Sequence, residues 1–174
     1  MMNSIWARIL VIAGPLLMVL GAVDPLEGSI AIGVGAVLGS LGVRLGGRPD
    51  KRILLWGLTV IGVLSLLLLF RAATARQPML LIPFGLVALS LLMLWWGLRR
   101  GAPADRTCVY GSTGLICFGV AAMWVLSAYG GFGEGALSWW WALLVLPFPV
   151  GWLRHLFSIG RWIGEGADAA TPAA

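Results

Sequence analysis

Six long apolar stretches divide the sequence, at residues 5–23, 25–43, 53–70, 79–98, 109–128 and 136–153. Only Arg8 and Glu27 place a charge inside a stretch, both within its first four residues. Each stretch is 18 to 20 residues long, the length a helix needs to cross roughly 30 Å of hydrocarbon. In hydrocarbon a lone segment must satisfy its own backbone N–H and C=O groups, and a helix does so. The expected fold is therefore all-α, an integral membrane bundle of six transmembrane helices. Composition agrees: charged residues are 11% and mean hydropathy is +0.95, whereas a soluble domain carries about 25% charge. The same figures exclude a disordered chain, which needs high charge and few apolar residues.

The charges that do occur lie mostly between the stretches and set the expected orientation. With the N-terminus inside, the cytoplasmic segments hold Arg8, Arg44, Arg48, Lys51, Arg52, Arg99, Arg100, Arg106, Arg154 and Arg161. The outer loops hold only Arg71 and Arg76, together with Asp24, Glu27 and Glu134. Positive charge collects on the cytoplasmic side of membrane proteins, so both termini are expected inside. The same rule accounts for the net charge of +5 without a nucleic-acid partner. The first stretch lacks a good small-residue cleavage site before Asp24 and is expected to stay as an uncleaved helix.

Nine of the ten tryptophans fall at or just beyond the end of a stretch, where amphipathic rings sit at the membrane–water interface. Trp139, Trp140, Trp141 and Trp152 are expected as such anchors. In the turn before the second stretch, Asp24, Pro25 and Glu27 have the order of an N-cap, a first helical proline and a third-position acid. Asp50 and Asp105 are placed to cap the third and fifth helices. Two carboxylates near residue 24 are too few for a calcium site, which takes 6–8 oxygens.

The second stretch carries Ser29, Gly33, Gly35, Gly39 and Gly42. This small-residue face lets another backbone approach closely where lipid supplies no hydrophobic drive, and its neighbour could be in this chain or another. Pro147 and Pro149 are expected to bend or unwind the sixth helix, as a kink or a hinge. Past residue 153 the sequence turns amphipathic, with Arg154, Ser158, Arg161 and Glu165 opposite Leu156, Ile159, Gly160 and Ile163. Residues 154–166 are expected as a helix lying on the inner membrane face, and 167–174 as a disordered tail.

Groups that carry chemistry are sparse. His155, the single histidine, has no nearby His or Cys for a metal site and reads as an interfacial polar residue. Cys108 and Cys117 are nine residues apart, so on one helix they are too far apart for a disulfide. No nucleophile or phosphate-loop motif occurs. No catalytic, cofactor or metal site is expected.

The segments DPLEGS (24–29) and WWALLVLPFPVGW (140–152) resemble parts of small, uncharacterised polytopic membrane proteins of bacteria. The resemblance implies a multi-pass protein of the bacterial inner membrane and carries no activity. The expected role is non-enzymatic: an accessory or structural subunit in contact with the lipid bilayer and with a membrane-protein partner or further copies of itself. The alternative is a small channel or carrier for a neutral or lipid-like solute.

Overall fold

The computed structural model describes residues 2–23, 28–74, 81–100, 105–128 and 143–168. These form an all-α bundle: α1 (Met2–Gly21), α2 (Ser29–Arg44), α3 (Lys51–Thr74), α4 (Leu81–Arg99), α5 (Arg106–Ala128) and α6 (Pro147–Asp168). No strand occurs among the described residues. Two helical segments, Ile82–Arg99 and Arg106–Ala128, are long and apolar enough to cross a membrane; Ile5–Gly21 and Ser29–Arg44 are apolar but shorter.

The α1–α2 hairpin is closed by small residues that recur every seventh position: Ala7, Gly14, Gly21, Gly28, Gly35 and Gly42. The two helices run antiparallel and these residues meet in pairs. A Cβ added to Gly14 would stand 2.6 Å from the Gly35 carbonyl oxygen. One on Gly21 would stand 2.7 Å from the Gly28 oxygen, and one on Gly42 2.9 Å from the Ala7 oxygen. Such distances leave no room for a side chain, so the backbones themselves are in contact. A spacing of seven is two turns at 3.5 residues per turn, which keeps one stripe facing one partner. The packing face of α2 is thus engaged within the chain, by α1.

That face is narrower than expected. Ser29, Gly35, Gly39 and Gly42 are buried, but Gly33 is only half-buried and looks towards Val120 of α5. The helix also starts later than expected, at Ser29, with Gly28 in the N-cap position. Asp24, Pro25 and Glu27 lie outside the described residues, as do Trp139, Trp140 and Trp141. Asp50 and Asp105 do cap α3 and α5: Asp50 Oδ1 accepts from Arg52 N and Asp105 Oδ1 from Thr107 N, each at 2.9 Å.

The sixth stretch departs most from expectation. Its described part is not one helix across residues 136–153, because residues 143–146 form turns and the helix opens at Pro147. Pro147 occupies the first helical position, where its missing N–H costs nothing, and Pro149 lies in the same first turn. The proline pair therefore starts a helix rather than kinking or hinging one. α6 runs on to Asp168 as one element, so 154–166 is not a separate surface helix. Its amphipathic pattern is real, but the apolar side packs on protein: Trp152, Leu156, Ile159 and Ile163 are buried in the core.

Two further close approaches hold α6. A Cβ on Gly160 would stand 2.5 Å from the Leu94 oxygen of α4, and one on Gly164 2.7 Å from the Leu98 oxygen. On the other side, Gly119 of α5 abuts the backbone of Phe148, and Gly151 abuts Ser112 and Ile116. Phe148 at the start of α6 thus meets Gly119 about halfway along α5, so α6 fills only the half of the bundle nearest Arg106.

We expect Gly14→Ala and Gly35→Ala each to destabilise the protein in detergent by about 1–3 kcal/mol, the usual cost of overpacking a tight contact. Gly111→Ala and Gly114→Ala, which have open space at the same atom, should be neutral or slightly stabilising. Thermal unfolding of the four variants checks this; equal effects would contradict the pairing.

Candidate functional site

Among the described residues, a cluster of polar side chains forms where α2, α5 and α6 meet, whereas the buried Ser90 bonds only its own helix. Ser40 of α2 and Thr113 of α5 share a hydrogen bond at 2.6 Å. Ser112 and Thr113 each donate to the Val109 carbonyl oxygen, at 2.8 and 3.0 Å. Their oxygens both lie 3.2 Å from Nδ1 of His155 on α6. The direction of the bonds at Nδ1 follows the histidine tautomer, and either hydroxyl can donate in the Ser40–Thr113 bond. His155 is fully buried. Its other nitrogen, Nε2, is buried with no hydrogen-bond partner and lies beside Gly39, where a Cβ would be 3.3 Å away.

His155 is thus not an interfacial residue. Neighbouring Arg154 on the same turn is exposed and donates to Cys108 Sγ at 3.5 Å, while His155 turns into the core. The amphipathic period of α6 decides between them: one step along a helix rotates a residue by about 100°. Ser112 is fully buried and its hydroxyl is committed to a backbone carbonyl, so its contact with His155 is not that of an exposed nucleophile. The cluster's chemistry is hydrogen bonding between three helices. Among the described residues no group of three His, Cys, Asp or Glu is placed to hold a metal.

Trp152, expected as an interfacial anchor, is 2% exposed. It stacks on Phe148 at 6.2 Å between ring centroids and is a core residue of α6, its Nε1 buried without a partner. Cys108 and Cys117 are both free.

A second grouping lies at the end of the bundle that collects the C-termini of α2, α4 and α6 and the N-termini of α3 and α5. α2 ends by donating Gly46 N to Val43 O and Gly47 N to Gly42 O, the paired bonds of a Schellman stop. The stop needs a left-handed residue, and Gly46 supplies it at φ +73°. The next carbonyl, of Gly47, accepts from Trp162 Nε1 of α6 at 2.8 Å. Arg48 then lies over the Trp162 ring, 5.1 Å from its centroid, and Arg106 of α5 lies over it at 5.0 Å. Other arginines at this end stack singly, Arg99 on Trp95 and Arg100 on Trp96. Asp105 is nearby but spent on its helix: bonds from the Thr107 hydroxyl and N–H hold its carboxyl below the ordinary carboxylate range.

The third feature is a shallow apolar groove of about 390 Å³ between α2 and α5, lined by Ile30, Gly33, Val34, Val37, Cys117 and Val120 among others. Gly33 makes room for it. Comparison with known proteins finds no matching family model, no similar curated protein and no similar solved structure.

Thr113 joins Ser40, His155 and its own helix. We expect Thr113→Val to cost about 1–3 kcal/mol, because it leaves buried groups unsatisfied. Thr59→Val should cost less than about 0.5 kcal/mol, since the exposed Thr59 hydroxyl bonds only the Leu55 carbonyl of its own helix. Comparative thermal melts in one detergent measure the difference; a neutral Thr113→Val would remove the cluster's structural role.

Proposed function

We propose that this is a multi-pass protein of the bacterial inner membrane with both termini cytoplasmic. It acts without catalysis, as a membrane-embedded accessory subunit that packs against another membrane protein. The observation that carries the subunit reading is α3. Among its described side chains, this helix buries only the stripe Leu54, Leu58 and Ile61 against the rest of the bundle. Leu55, Trp56, Val60, Val63, Leu64, Leu66, Leu67 and Phe70 are exposed, Trp56 and Phe70 by more than 70%. In water such a surface would drive aggregation, so it belongs against lipid or another apolar helix. The membrane setting is supported by the two helices long enough to cross, the low charge and the collection of basic residues at one end of the bundle.

The glycine face of α2 does not serve this role, because α1 occupies it. A partner would instead meet α3. The second reading, a channel or carrier for a neutral or lipid-like solute, is favoured by the groove between α2 and α5, whose lining is almost wholly apolar and suits an acyl chain.

A photo-crosslinking residue at Val63 or Leu66, activated in intact membranes, tests the subunit reading. We expect one discrete protein adduct that also survives in native mass spectra of the mildly solubilised particle. Lipid adducts alone at both positions, with a monomeric particle, would overturn it. A lipid adduct at Val34 or Val37 instead would favour the carrier.

A further inference from the structure

The double stacking on Trp162 differs from the other arginine–aromatic contacts at this end of the bundle. Arg99 with Trp95, Arg100 with Trp96 and Arg161 with Phe157 are each pairs four residues apart on or at the end of one helix, which the helical repeat alone brings together. Arg48, Arg106 and Trp162 come from three separate segments. They meet because Gly46 turns the chain, Gly47 receives the indole N–H, and α6 lies along α5.

Two like charges are gathered on one ring. Each guanidinium is about 5 Å from the same ring centroid, so the two charges lie within about 10 Å of each other, no more than a Debye length at about 0.1 M salt. Among the described residues neither arginine makes an ion pair with a carboxylate. Asp50 and Asp105 accept from helix N–H groups, Asp50 from Arg52 N and Asp105 from Thr107 N. Arg106 also stands at the first position of α5, where the helix dipole disfavours a cation. The ring is buried at 3% exposure, whereas both arginines are exposed. Their aromatic contacts hold them in place and leave their N–H donors available.

Two exposed guanidinium groups held on one indole, neither in an ion pair among the described residues, offer a phosphate charge-assisted bonds. We propose that Arg48 and Arg106, gathered over Trp162, bind the phosphate of an anionic phospholipid headgroup. The inference rests on the membrane reading above, which places this basic end at the cytoplasmic leaflet where anionic lipids lie. A glycerol-linked phosphodiester reaches the arginines from the leaflet while its acyl chains remain beside the apolar helices.

The test uses the full chain, purified in neutral detergent and stripped of lipid. Native mass spectrometry titrates dioleoylphosphatidylglycerol against dioleoylphosphatidylcholine. We expect a single preferred phosphatidylglycerol adduct, favoured by about tenfold or more. Arg48→Gln with Arg106→Gln should abolish the preference, while Arg48→Lys with Arg106→Lys, which keeps both charges, retains part of it. Arg99→Gln with Arg100→Gln should leave it within about threefold, well under one factor of ten. Equal binding of the two lipids overturns the proposal, as does equal loss in the Arg99/Arg100 variant, which would mean diffuse charge attraction. Displacement of the lipid by millimolar inorganic phosphate would assign the site to free phosphate and overturn the lipid source. An alkaline carbonate wash of native membranes separates the two levels. Release of the protein refutes the membrane reading, whereas retention without lipid preference refutes only this site.

Discussion

Backbone-to-backbone contact at glycine is the interaction on which the other features depend. Between two lipid-soluble helices there is no hydrophobic gain from burial, so association rests on close van der Waals packing and a few hydrogen bonds. Such packing strengthens as surfaces approach, and a side chain at the contact prevents approach. The hairpin of α1 and α2 removes that obstacle at every seventh residue, and α6 repeats the device against α4 at Gly160 and Gly164 and against α5 at Gly119 and Gly151. Because these contacts are intolerant of even one methyl group, they fix the register of each pair as well as its distance.

Registration of the helices brings the polar groups together. Gly39 lets α6 approach α2 so closely that His155 and Ile159 fill the space a side chain would take. His155 then reaches Ser112 and Thr113 on α5, and Thr113 reaches Ser40 on α2. A buried polar group is costly unless it is bonded, so the bonds joining Ser40, Ser112, Thr113 and His155 Nδ1 favour this arrangement of three helices. The same registration carries Trp162 to the end of the bundle, where its indole N–H ties down the α2–α3 turn and positions Arg48.

Much of this was legible in the sequence, for reasons that differ by element. Helix type and rough extent follow from long apolar runs, and the apolar run at 109–128 matches α5 at Arg106–Ala128 closely. Asp50 and Asp105 were legible as caps because capping is local: the side chain bonds the backbone two residues on. The small-residue face of α2 was visible, but its partner was not. The spacing of seven shared by Ala7, Gly14 and Gly21 with Gly28, Gly35 and Gly42 is the signal that pairs the helices, and it shows only when both helices are compared. α6 departs from its sequence because an apolar run with prolines has the pattern of one span. Pro147 at a helix start and Pro147 at a kink look alike until the preceding turn is known. The position of His155 and Trp152 in the chain suggests the interface, whereas the face of the helix on which each lies puts it inside. The convergence of Arg48, Arg106 and Trp162 depends on three distant segments and has no local signature.

The proposed function has one central requirement: the bundle is embedded in a membrane with its basic end on the cytoplasmic side. Single cysteines at Arg48, Arg100, Arg106 and Arg161, introduced with Cys108 and Cys117 replaced by serine, measure it most directly. An impermeant maleimide is applied to intact spheroplasts and to inverted vesicles. The account predicts labelling of all four positions in inverted vesicles and of none in spheroplasts. Labelling divided between the two preparations, or equal in both, would contradict it.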